Sequence, residues 1–146
     1  MKKILVAIDE SKVSEVVLEK AKALATVFEA DVLVTTAIQK LAPSHHYRFG
    51  ADFTHYDLVN AQSEDNAKKL LAHAKEVLEG IPGKCTTQIV HGNPADMIIE
   101  MADIKEPDLL IMGSRGLGGF KRAMLGSVST KVLHHATCDV MIVRDE

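Results

Sequence analysis

Apolar residues recur along this chain in two rhythms that alternate with each other. Short, nearly unbroken apolar runs occupy residues 3–8 (Lys-Ile-Leu-Val-Ala-Ile), 31–38 (Asp-Val-Leu-Val-Thr-Thr-Ala-Ile), 108–112 (Asp-Leu-Leu-Ile-Met) and 139–143 (Asp-Val-Met-Ile-Val). Runs of that length, bounded by charged residues, Pro or Gly, suit strands buried on both faces. Residues 84–90 (Lys-Cys-Thr-Thr-Gln-Ile-Val) form a more polar run, expected nearer a sheet edge. Between the runs the spacing changes to threes and fours: Val13, Val17, Ala21, Leu24 and Phe28; then Ala67, Leu70, Leu71, Ala74, Val77 and Leu78 within 57–79; then Met97, Ile98, Met101 and Ile104; then Val128, Val132, Leu133 and Ala136. These are four amphipathic helices.

The punctuation agrees with that division. Ser11 and Ser127 stand where N-caps belong, and Asn93, Pro94 and Asp96 supply a cap, a first-turn proline and a first-turn acid for the third helix. Gly80 and Pro82 stop the second helix, on which Glu64 with Lys68 and Asp65 with Lys69 are spaced for ion pairs. His134 and His135 close the last helix, where imidazolium favours the dipole. Strands alternating with helices predict an α/β fold, a single-domain open parallel five-stranded sheet with right-handed crossovers and helices on both faces. In such sheets a ligand lies beyond the carboxyl ends of the strands, where the strand order reverses. The last strand is apolar for a sheet edge, so pairing with a second copy through residues 139–143, as a homodimer, is expected.

Composition narrows the function. At 146 residues the chain is the size of one domain, long enough to bury roughly 70% of its unfolded surface. The net charge of −3 offers no global field for nucleic acid, and no run approaches the ~20 apolar residues needed to cross a bilayer. The apolar stretch before Asp9 is too short for a signal-peptide core, so a cytoplasmic protein with no membrane partner is expected. Cys85 and Cys138 have no CxxC partner and no metal-ligand spacing.

The exception to this plainness is Gly113 to Ser129. It holds Gly113, Gly116, Gly118, Gly119 and Gly126, with Arg115, Lys121 and Arg122 and no acid, between a buried strand and a helix start. Glycines let backbone amides approach a ligand as a concave donor site, and a helix N-terminus adds unpaired N–H groups and the positive end of its dipole. The segment therefore favours a small anion, with the amides near Gly126, Ser127 and Val128 and the hydroxyls of Ser127 and Ser129 as phosphate donors. Arg115, Lys121 and Arg122 either screen polyphosphate charge or are exposed solubilising cations. Other nucleotide loops fit less well: Gly126 is not followed by the lysine of a Walker loop, and the first strand ends in Asp-Glu-Ser without the glycines of a dinucleotide fingerprint. Residues 39–56, with His45, His46, Tyr47, Arg48, Phe49, His55 and Tyr56, are expected to be irregular, a lid, a partner-contacting loop or an ordinary surface insertion. No metal site is expected there.

Gly113, Gly116, Gly126 and Ser127 match GxxGx9G[ST], and with Lys-Ile-Leu-Val-Ala-Ile-Asp at the start and Val-Met-Ile-Val at the end the whole chain resembles the universal stress protein family, its ATP-binding subclass in particular. The resemblance implies a Rossmann-like sheet of the adenine nucleotide alpha hydrolase-like kind, ordered 3-2-1-4-5, so that Asp9 and Gly113 face each other across the crevice. It implies an adenine nucleotide as ligand, ATP with AMP or ADP as alternatives, with Mg²⁺ or Mn²⁺ accompanying the phosphates. Gly113 and Gly116 would lie against the ribose and α-phosphate with Met112 nearby, Asp9 by the ribose or a divalent ion, and Ala37 by the adenine, with Thr36 or Ile38 as alternatives; Ile8 is counted among the nucleotide-site residues. Arg115, Gly126, Ser127, Val128 and Ser129 complete the set. The function implied is a nucleotide-dependent stress-response or regulatory factor, with no catalytic residue assigned. A slow ATPase using Asp9, or an interaction protein that no longer uses nucleotide, is the alternative. One departure is Cys138-Asp139-Val140 where the family commonly has Cys-Pro-Val, which bears on the dimer edge.

Overall fold

The computed structural model describes residues 1–40, 51–115 and 124–145, with the backbone alone for 51–57. Five strands and four helices alternate along the chain: β1 (Lys3–Ala7), α1 (Val13–Phe28), β2 (Asp31–Ile38), α2 (Ala51–Val77), β3 (Cys85–His91), α3 (Pro94–Lys105), β4 (Leu109–Gly113), α4 (Ser127–His135) and β5 (Asp139–Val143). The strands form one parallel sheet in the order β3-β2-β1-β4-β5, as expected. The more polar β3 and the apolar β5 are its two edges.

The unbroken apolar runs are explained by the two layers they serve. Successive side chains of a strand point to opposite faces. Ile4, Val6 and Ile8 pack with Val32, Val34, Leu109 and Ile111 against Val17, Leu18, Ala21 and Ala25 of α1 and Leu71 and Ala74 of α2. Leu5 and Ala7 pack with Leu110 and Met112 against Ala95, Ile98, Met101 and Ala102 of α3 and Val132 of α4. The central strands β1 and β4 are thus apolar at every position between their ends. β3 packs Cys85 and Ile89 toward the α1 and α2 layer and buries only Val90 on the α3 face, so its burial largely alternates.

Several local expectations are corrected. Ser11 does not cap α1: Lys12 holds the N-cap position and no side chain caps the helix, because the Ser11 hydroxyl and N–H are both turned back onto Asp9. Gly126, not Ser127, is the N-cap of α4, and Ser127 is its first residue. Residues 51–56 belong to α2 (Ala51–Val77) where an irregular segment is expected; residues 41–50, with His45, His46, Tyr47, Arg48 and Phe49, lie outside the described residues, as do the side chains of His55 and Tyr56. On α3 the buried stripe is completed by Ala102, leaving Ile104 at 64% exposure. Glu64 contacts His91 on β3 instead of Lys68, which holds its carboxyl below the usual range, while Asp65 and Lys69 pair at 3.1 Å. Asn93 caps α3 as expected, accepting from the Asp96 N–H at 3.2 Å.

Candidate functional site

The strand order reverses between β1 and β4, because β1 connects through α1 to β2 on one side while β4 lies on the other. Beyond their carboxyl ends opens a cleft of about 280 Å³. Its lining includes Ile8, Asp9, Ala37, Met112, Gly113, Arg115, Gly126, Ser127, Val128 and Ser129. These ten candidate residues therefore meet at this one place, Ala37 and not its alternatives Thr36 and Ile38 among them; Gly116, Lys121 and Arg122 lie outside the described residues.

Each wall has a local cause. Asp9 follows β1, and its Oδ1 accepts from the Ser11 N–H at 2.8 Å, from the Ser14 hydroxyl at 3.2 Å and from the Ser11 hydroxyl. The Asp9 N–H in turn donates to Ser14 Oγ at 3.0 Å. An aspartate accepting from the N–H two residues on is the Asx turn that such residues favour. Donors gathered on one oxygen orient the carboxylate, and Oδ2 has no hydrogen-bond partner among the described residues. Ser14 is 6% exposed.

Across the cleft, Gly113 ends β4 where no side chain fits: a Cβ there would lie 2.5 Å from Val13 Cγ1. The Ser114 carbonyl then accepts from both the Gly126 N–H at 2.8 Å and the Ser129 hydroxyl at 2.9 Å. This staples the start of α4 to the end of β4. It also corrects one detail, since the Ser129 hydroxyl is engaged within the protein and what remains for the cleft is its main chain. The first intrahelical bond of α4 runs from the Thr130 N–H to the Gly126 carbonyl at 3.0 Å. The N–H groups of Ser127, Val128 and Ser129 precede it and have no partner within the helix, at the positive end of its dipole.

The cleft also takes residues that the pattern did not flag. Ala7, Val13 and Ile98, with Met112, give it an apolar wall, and Ser11, Ser14, Thr35 and Pro94 complete it. Asp9 followed two positions later by Ser was a readable Asx signal. Pro94 and Ile98 carried none, because only the packing of α3 on the sheet brings its first turns here. Lys131 of α4 pairs with Asp96 of α3 at 2.6 Å, and Thr137, just past α4, donates to Asp103 near the end of α3 at 2.9 Å; both helix starts, at Pro94 and Ser127, line the same opening.

A doubly wound parallel sheet with a helix start, an oriented carboxylate and an apolar wall around a cleft at its switch point defines a Rossmann-like α/β protein. Within that class the chain belongs to the universal stress protein family, whose pattern matches residues 1–144. It is 34% identical over 145 residues to universal stress protein YxiE of Bacillus subtilis, covering 97% of this chain and 98% of that one. It is 32% identical over 143 residues to universal stress protein MJ0531 of Methanocaldococcus jannaschii, covering 98% and 82%. Among solved structures the hypothetical protein MJ0577 superposes with a TM-score of 0.85 at 27% identity, over 99% of this chain and 96% of that one. The same fold occurs in a universal stress protein in complex with cAMP (TM-score 0.67, 24% identical, 98% and 96% covered). It occurs too in a family protein from Arabidopsis thaliana with AMP bound (TM-score 0.67, 21% identical, 100% and 93% covered). No helix among the described residues is long and apolar enough to cross a membrane.

Proposed function

We propose that the cleft binds an adenine nucleotide, ATP with AMP or ADP as lesser forms, and that the protein acts in the cytoplasm as a nucleotide-dependent stress-response factor. The observation that carries this reading is the convergence at one opening of the α4 N-terminus, the Gly113 strand end and the Asp9 carboxylate. In it the amides of Ser127, Val128 and Ser129 and the Ser127 hydroxyl receive phosphate oxygens, as unpaired helix-start donors do. Gly113, with Met112, admits the ribose and α-phosphate close to the main chain, and Asp9 beside Ile8 accepts from a ribose hydroxyl. The apolar wall and Ala37 take the base; mostly apolar lining with a few convergent polar groups is usual for small-ligand sites. The bound cAMP and AMP in two proteins of this fold support an adenine ligand. Where a divalent ion arrives with the phosphates, it takes Asp9 Oδ2 in place of the ribose hydroxyl and finds one protein oxygen there. That suits Mg²⁺, which keeps most of its ligands as water and phosphate.

Titration calorimetry of the protein with ATP, AMP, cAMP and adenosine tests the proposal, with phosphate release under saturating ATP and Mg²⁺ measured beside it. Saturable binding of adenine nucleotides is expected. Gly126→Val, which crowds a buried N-cap at the cleft, is expected to lower ATP affinity by at least tenfold while the far-UV circular dichroism stays that of the parent. A wild-type protein that takes up no adenine nucleotide would overturn the reading.

A further inference from the structure

We infer that Asp145 is an intramolecular competitor for Arg115, engaging the guanidinium that a ligand's phosphate would otherwise engage, and so sets how strongly the cleft prefers polyphosphates to an uncharged nucleoside. The inference rests on the nucleotide reading above.

The pairing follows from the register of the sheet. β4 and β5 run parallel with Gly113 opposite Val143, and the ladder continues one step further through the Ser114 N–H to the Val143 carbonyl at 2.8 Å. Continued two steps past Gly113 and Val143, the same register sets Arg115 beside Asp145. Two strand ends leaving the sheet side by side thus deliver a guanidinium and a carboxylate to the same place, and Arg115 Nη2 donates to Asp145 Oδ1 at 2.6 Å. Arg115 lines the cleft and its side chain is 21% exposed, that of Asp145 36%. Among the described lining residues Arg115 is the only cation, and Asp9 the only acid.

A guanidinium recognises carboxylate and phosphate through the same forked edge. An oxyanion reaching Arg115 must therefore displace the Asp145 carboxylate or share the guanidinium with it, and in sharing it lies close to a like charge. Either course weakens binding in proportion to the charge carried by the ligand. Adenosine, which brings no phosphate, is indifferent to it. Asp145 itself is not among the lining residues, so it acts as a positioning residue through Arg115. Ligand charge is thereby coupled to the segment that follows the edge strand β5.

The test is calorimetry with ATP and with adenosine on the wild type, Asp145→Asn, Asp145→Glu, Arg115→Gln and the Arg115→Gln/Asp145→Asn double variant. Asp145→Asn is expected to tighten ATP by roughly two- to fivefold, the range of partly exposed ion pairs, with adenosine unchanged. Asp145→Glu keeps the charge and is expected to keep the wild-type ratio of ATP to adenosine affinity, whereas a merely structural role would move both variants alike. Arg115→Gln is expected to weaken ATP and to make the second substitution silent. A wild-type ratio in Asp145→Asn overturns the inference alone, as does an Asp145→Asn effect that persists without Arg115. A wild type that binds neither ligand overturns the nucleotide reading and this inference with it.

Discussion

Gly113 shows how a single residue serves fold and site together. Its backbone does not need a left-handed conformation; it needs the absence of a side chain, because Val13 at the start of α1 packs 2.5 Å from where a Cβ would be. Gly113→Ala is expected to lower stability by about 1–3 kcal/mol, the usual cost of forcing an extra carbon into a packed site. Val13→Ala added to it should restore part of the loss. Urea midpoints of the two single variants and the double variant check this, and simple additivity of the two losses would contradict it. Residue identity alone could say that a glycine ended the strand, but the neighbour that excludes a Cβ comes from about a hundred positions earlier. The same gap in scale explains Ser127 and Ser129. Both were readable as hydroxyls at a helix start, yet the cap is Gly126 and the Ser129 hydroxyl donates to the Ser114 carbonyl, a partner that exists only once β4 and α4 are joined.

Elements proved legible wherever the pattern had one explanation. β2 and β5 have the expected bounds, and β1, β3 and β4 differ by a residue at their ends. Helix starts were less legible, since caps depend on where a side chain finds its partner. α2 extends to Ala51 through polar sequence whose amphipathic signal is weak. The elements are also tied at the opposite end of the sheet from the cleft. Asp108, just ahead of β4, accepts from the N–H groups of Lys2 and Lys3 at 2.6 and 2.9 Å, joining the starts of β4 and β1. Those bonds, to Lys2 first, hold its carboxyl below the ordinary aspartate value. A carboxyl depressed in the folded state contributes stability that is complete above its unfolded pKa and is lost as pH falls through the folded one. Asp108→Asn should therefore lower the urea midpoint at neutral pH, and the difference from wild type should shrink as pH drops below about 4. A difference that stayed constant from neutral to acid pH would remove Asp108 from this role.

For the whole molecule, the order β3-β2-β1-β4-β5 places two edges in contrasting chemistry. β3 presents exposed Thr86 and Gln88, while Val140, Met141 and Ile142 of β5 are only partly buried. We propose that β5 pairs with a second copy, covering an apolar edge that would otherwise invite less specific association. Sedimentation equilibrium is expected to give a dimer for the wild type and a monomer for Met141→Glu, with no change in circular dichroism; a monomeric wild type at micromolar concentration would exclude the pairing. The Asp139 that replaces the family's common proline is the first residue of that strand.

The sequence by itself determined the alternation of strands and helices, the parallel sheet and the glycine-bounded stretch beside a helix start, because these depend on periodicity and on backbone freedom within a few residues. Only the tertiary structure decided which side chains share the cleft: that α3 lends Pro94 and Ile98 to the opening between Asp9 and Gly113, and that Arg115 meets Asp145. Those contacts join positions far apart in the chain, and they follow from sheet register and helix packing, which no local pattern of residues encodes.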